Sequence, residues 1–113
     1  MAQVLLASPF FAGHFDSGHF WLRALSRLGH SVLAWDYRLD SDPPPGAYDL
    51  ALVLKGNADT PAKLRRPRIC YWPDQLGREP EAEAALAQYD KVYTMVRPTP
   101  AGMTWLPGAW DPA

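Results

Sequence analysis

Seven residues near the start of the chain bring together the types that proton transfer and anion binding require: Gly13-His14-Phe15-Asp16-Ser17-Gly18-His19. Histidine titrates near neutral pH, so His14 or His19 could act as a general base, with Asp16 as the carboxylate that orients the ring. Gly13 and Gly18 would let a ligand approach the backbone. The helix expected to follow offers unpaired N–H groups and the positive end of its dipole to a phosphate or carboxylate. The stretch is not Gly-x-Gly-x-x-Gly, and it lacks the lysine of a P-loop. The alternative is a well-capped loop carrying surface histidines.

Further candidates fall at the ends of apolar runs. Asp36 follows the second such run, about twenty residues beyond the glycines, where dinucleotide-binding folds keep a ribose-binding acid. It could equally be a solvated strand-end aspartate. Lys55 ends the third run, with Asn57 in the exit loop. A cation there could pair with a phosphate or an acidic acceptor, or be a plain surface lysine. Asp74 and Gln75 end the fourth run, and Asp74 could simply be the turn residue after Pro73. His14, His19, Asp16 and Asp36 have no metal-ligand spacing, so neither a metal nor a cofactor is expected. Cys70 is the sole cysteine and lies within Ile69-Cys70-Tyr71-Trp72. A buried, inert thiol is therefore expected, and no intrachain disulfide is possible.

The elements that must position these residues alternate in type. Val4-Leu5-Leu6-Ala7 is almost wholly apolar, as central parallel strands are. Ser17 is placed to cap a helix over residues 18–28, with Trp21, Leu25 and Leu28 on one face and Gly29 as the left-handed residue that ends it. Strands are predicted at 31–35, 50–54, 68–72 and 91–96, with a short sixth at 103–106. Thr60 is placed to cap a short helix over 61–65, with Pro61 in its first turn. The clearest helix is read over 79–88, rich in alanine, with Pro80 at its first position and carboxylates in its first turn. Between the second and third strands, the prolines of residues 39–46 exclude regular structure. This alternation implies an α/β domain, three-layered, with a parallel sheet ordered 2-1-3-4-5(-6). Its topological switch point then lies between strands one and three, beneath the histidine-bearing loop.

The 113 residues suffice for one domain. The net charge of −1 gives no nucleic-acid footprint. The basic run Lys63-Leu64-Arg65-Arg66-Pro67-Arg68 reads as a solvated helix end. No apolar stretch approaches the roughly 18 residues of a membrane span. The start of the chain lacks a basic n-region, so a cytoplasmic protein without nucleic-acid or membrane partners is expected. Trp105 and Trp110 would either pack back onto the sheet or anchor a partner.

Four motifs, in order, carry a resemblance. They are Leu25-Ser26-Arg27-Leu28-Gly29-His30-Ser31-Val32, Tyr48-Asp49-Leu50-Ala51-Leu52-Val53, Tyr71-Trp72-Pro73-Asp74, and Tyr89-Asp90-Lys91-Val92-Tyr93-Thr94 followed by Leu106-Pro107-Gly108-Ala109-Trp110-Asp111-Pro112. Across nearly its whole length the chain resembles the N-terminal Rossmann-like domain of GT-B glycosyltransferases, among them the spore-maturation-type glycosyltransferase-like proteins. The resemblance implies an acceptor-side half whose donor pocket would belong to a second lobe, with metal-independent transfer and no activity alone. A sugar nucleotide or an acceptor would be its ligand, and a second GT-B lobe or a homodimer its partner. The competing expectation is a non-catalytic interaction or oligomerisation module on the same scaffold.

Overall fold

Val4, Leu5, Leu6 and Ala7 are all buried, as a strand covered on both faces requires. The computed structural model describes residues 2–9, 17–73, 76–95 and 99–105. In it, β1 (Gln3–Ala7) lies between β2 (Ser31–Trp35) and β3 (Leu50–Leu54). The sheet continues through β4 (Arg68–Tyr71), β5 (Lys91–Thr94) and the two-residue β6 (Thr104–Trp105). The order β2-β1-β3-β4-β5-β6 with every pair parallel matches the predicted topology. All the strands therefore deliver their carboxyl ends to one edge, and the step from β2 back across β1 to β3 makes the switch point there.

Side chains alternate between two cores, as strand geometry dictates. Leu5, Ala7, Ala51, Val53, Cys70, Trp72 and Val92 fill one face. Leu6, Leu54 and Tyr71 lie on the other, beneath Trp21, Leu22 and Leu25 of α1 (Ser17–Arg27). The helix takes in Ser17 rather than starting after it. Gly29, at φ +88°, stops it: the Gly29 N–H donates to Ser26 O (3.0 Å) and the His30 N–H to Leu25 O (3.1 Å), the two bonds of a Schellman cap. Leu28 departs from expectation. It sits at that cap and is 73% exposed, so Leu22 completes the buried stripe. His30 is structural, its Nδ1 accepting the Ala2 N–H at 2.9 Å.

The helix read over 79–88 divides in two. α2 spans only Pro80–Ala84, and a 3₁₀ turn takes Ala85–Gln88. Alanine favours helix but brings little surface to bury, so tertiary seating decides. The tighter turn seats buried Ala85 and Tyr89 against the sheet. The short helix after Thr60 is likewise a single 3₁₀ turn, Pro61–Lys63.

The basic run is not a solvated helix end. Arg68 donates to Gln88 O (2.8 Å) and Leu64 O (2.9 Å), and Arg66 pairs with Asp90. The run thus ties both 3₁₀ turns to the amino ends of β4 and β5. The Arg68 N–H and the Arg66 guanidinium hold the Asp90 carboxyl below its usual range.

Candidate functional site

The carboxyl edge is organised around one turn. β3 ends at Leu54, and the next residue, Lys55, has φ +72°. A side chain in that region is strained, and a bond closing across a single residue makes a γ-turn of the rare hand. That bond runs from the Gly56 N–H to Leu54 O at 3.1 Å. Gly56 follows at φ +87° and must be glycine, because a Cβ there would lie 2.8 Å from the Tyr89 hydroxyl and 2.9 Å from a Val53 methyl.

Surrounding groups hold the turn in place. The Tyr37 hydroxyl donates to Leu54 O (2.9 Å) and accepts the Gly56 N–H (3.1 Å). The Lys55 N–H donates to Tyr71 O (2.9 Å), and the Cys70 thiol donates to Lys55 O (3.4 Å). Burial pushes the Cys70 thiol up to about 12 and raises the Tyr37 hydroxyl. Both therefore stay protonated as donors, and Cys70 is the inert thiol its sequence context implied.

The turn delivers the Lys55 ammonium to within 2.6 Å of the Glu79 carboxylate and 5.8 Å from the Trp72 ring centre. Lys55 is thus an engaged residue rather than a plain surface lysine. Glu79 is itself fixed, since its N–H and that of Gly77 donate to the Glu83 carboxylate (2.8 and 2.7 Å). Those bonds, the one from Glu79 foremost, draw the Glu83 carboxyl below its usual range.

Asn57 opens the next turn. Its N–H donates to Thr60 Oγ1 (2.8 Å), and the Thr60 N–H returns to Asn57 O (3.2 Å). Thr60 faces back into this turn rather than capping the segment after it. Asp36 is not a solvated strand-end residue. It is 8% exposed, its carboxylate accepts the Arg38 N–H (3.1 Å), and its carbonyl accepts those of Leu39 and Asp40. Its acid group shapes the loop after β2. His19 lies in the first turn of α1 and is exposed. The candidates Gly13, His14, Asp16, Asp74 and Gln75 lie outside the described residues.

Among the described residues, two clefts open on this edge. The larger, about 490 Å³, is lined by Asn57, Asp59, Glu79, Pro80 and Glu81 together with Ala58 and Ala82. The smaller, about 260 Å³, lies between the loop after β2 and the Pro61–Lys63 turn, with Tyr37, Arg38, Leu39 and Lys63 on its walls. Three carboxylates and an amide share the larger lining evenly with apolar surface from Pro80, Ala58 and Ala82. Such polar groups accept hydrogen bonds from hydroxyls; Glu79 does so while paired with Lys55, and Asp59 while paired with Lys63 at 3.2 Å.

Sequence reasoning missed Tyr37, Asp59, Glu79 and Glu81. Tyr37 carried no local signal, because its bonds reach 17 and 19 residues along the chain. The pair Lys55-Gly56 after an apolar strand was the one readable hint of a left-handed turn. Among the described residues no three His, Cys, Asp or Glu come together as a metal-ligating group, and no helix is long and apolar enough to cross a membrane. No protein-family model, no curated protein and no solved structure matches this chain.

Proposed function

We propose that the chain is the acceptor-side half of a GT-B-type, glycosyltransferase-like protein of the cytoplasm, and that its larger cleft takes a neutral, hydroxyl-rich acceptor. The observation that carries this reading is the acceptor-rich lining of that cleft, Asn57, Asp59, Glu79 and Glu81, at the carboxyl edge of a parallel sheet. The order of the four sequence motifs supports it. In this reading a second lobe provides the opposite wall and the sugar-nucleotide donor, and His14, oriented by Asp16, takes the acceptor's proton. These residues alone form one wall, so no transfer is expected from them in isolation.

The test is an NMR titration of the labelled protein with glucose, N-acetylglucosamine, UDP and UDP-glucose. Amide shifts at Asn57, Asp59 and Glu79 with the neutral sugars are expected. Shifts at those residues with UDP and none with any sugar would overturn the reading.

A second reading, an interaction module, rests on a different observation. Among the described residues α1 is the one helix on its face of the sheet, Tyr93 and Ile69 are half-buried on that side, and Met95 is exposed. Sedimentation across a range of concentrations tests it. Self-association would favour this module, and a strict monomer would remove its support.

A further inference from the structure

Resting on that acceptor reading, we infer that the ligand is a chain of at least two sugar-like rings, held in two adjoining subsites, rather than a single ring. The two clefts are continuous in their walls, because Asn57 and Asp59 line both. The Asn57 carboxamide is exposed and makes no hydrogen bond among the described residues. A donor and an acceptor on one planar group thus stand on the ridge where two rings would be joined.

The two sides differ in chemistry. The larger cleft presents carboxylates, which accept from hydroxyls. The smaller is the more polar of the two, with Arg38, Ser41, Asp59 and Lys63 on its walls, and offers Tyr37 and the 65% exposed Leu39 as its apolar surface. A sugar ring has the matching pair of surfaces, a C–H face for the apolar wall and hydroxyls for the guanidinium.

The smaller cleft is also preformed. The Trp35 indole N–H donates to Asp40 O (3.0 Å), the Tyr37 hydroxyl to Leu54 O (2.9 Å), and the Lys63 ammonium to Ser41 O. These bonds tie the loop after β2 to β3 and to the Pro61–Lys63 turn, so a ligand need not order these walls on binding. At about 260 Å³ the smaller cleft falls below the usual range of a self-sufficient ligand site, roughly 300–1,000 Å³. It works as an extension of its neighbour. The Asp59 carboxylate, paired with the Lys63 ammonium at 3.2 Å, stands on the wall that both clefts share.

The test compares monosaccharides with their own disaccharides, glucose with maltose and cellobiose, and N-acetylglucosamine with chitobiose, by NMR titration. At least one disaccharide is expected to bind about tenfold tighter than its monosaccharide, a difference of about 1.4 kcal/mol. New shifts should appear at Arg38 and Leu39 alongside those at Asn57 and Glu79. Leu39→Ala, an exposed change that leaves the fold intact, should erase the gain and keep monosaccharide affinity. Disaccharides no tighter than monosaccharides, with shifts confined to residues 57–59 and 79–82, would overturn the two-subsite inference and leave the acceptor reading standing. Silence towards every sugar would overturn both.

Discussion

Lys55 and Gly56 both adopt left-handed backbone, yet for different reasons, and the difference can be measured. At Gly56 there is no room: Gly56→Ala should cost about 2–4 kcal/mol, combining backbone strain with overpacking against Tyr89 and Val53. Gly77 has φ +101° but open space around it, so Gly77→Ala should cost only about 1 kcal/mol. Chemical denaturation of both variants checks the contrast; equal losses would mean that crowding at Gly56 contributes nothing. At Lys55 the strain serves the side chain. Lys55→Gly should leave stability unchanged or raise it by up to about 1 kcal/mol, since its half-exposed ion pair is worth little. The same variant should bind neutral sugars more weakly, because Glu79 loses its partner. A clear drop in stability would show that the turn is not strained. Beyond the hint in the pair Lys55-Gly56, none of this could be read from the sequence. The conformation of Lys55 is imposed by Tyr37 and Cys70, which are distant in the chain.

β1 and β3 were legible because each is an apolar run whose burial on two faces leaves little choice of residue. The end of α1 was legible because a reversing glycine leaves a local signature. Legibility failed where tertiary seating outweighs propensity. Leu28 has the right spacing for the buried stripe but sits at the cap, and the alanines of 79–88 favour a long helix that the seat of Tyr89 tightens into a 3₁₀ turn. The basic run misled for a related reason, since charge clustering along a sequence says nothing of which carbonyls lie within reach of Arg68. On α1, Trp21 is half-buried and packs against Tyr71 with ring centres 5.7 Å apart. Trp21→Ala should therefore cost about 2–3 kcal/mol, less than a fully enclosed aromatic. A loss under about 1 kcal/mol in urea titration would show that α1 is held by Leu22 and Leu25 instead.

At the scale of the molecule, alternation of strand and helix fixed the order of the sheet and the edge where a ligand would sit. It could not reveal the lining of that edge, which is assembled from the loop after β2, the turn after β3 and the start of α2. Stability should respond to pH in two windows. Burial raises Cys70 from 9.0 to about 12 and also raises Tyr37 and Tyr89. Neutral forms are thus favoured in the fold, and that stability is intact below about pH 9 and lost as pH rises towards 12. Asp90 and Glu83 are lowered, so their contribution is present above the ordinary carboxylate range and lost as pH falls below it. Melting temperatures measured between pH 2 and 11 should trace a plateau with both flanks falling, and Cys70→Ala should soften the alkaline flank. The sole cysteine also makes the protein its own reporter. Because Cys70 is wholly buried in the core and bonded to Lys55 O, an aromatic disulfide reagent can reach it only when the fold around it opens. The rate of colour release would then time each such opening without any engineered label, and a ligand that binds the native state should slow it.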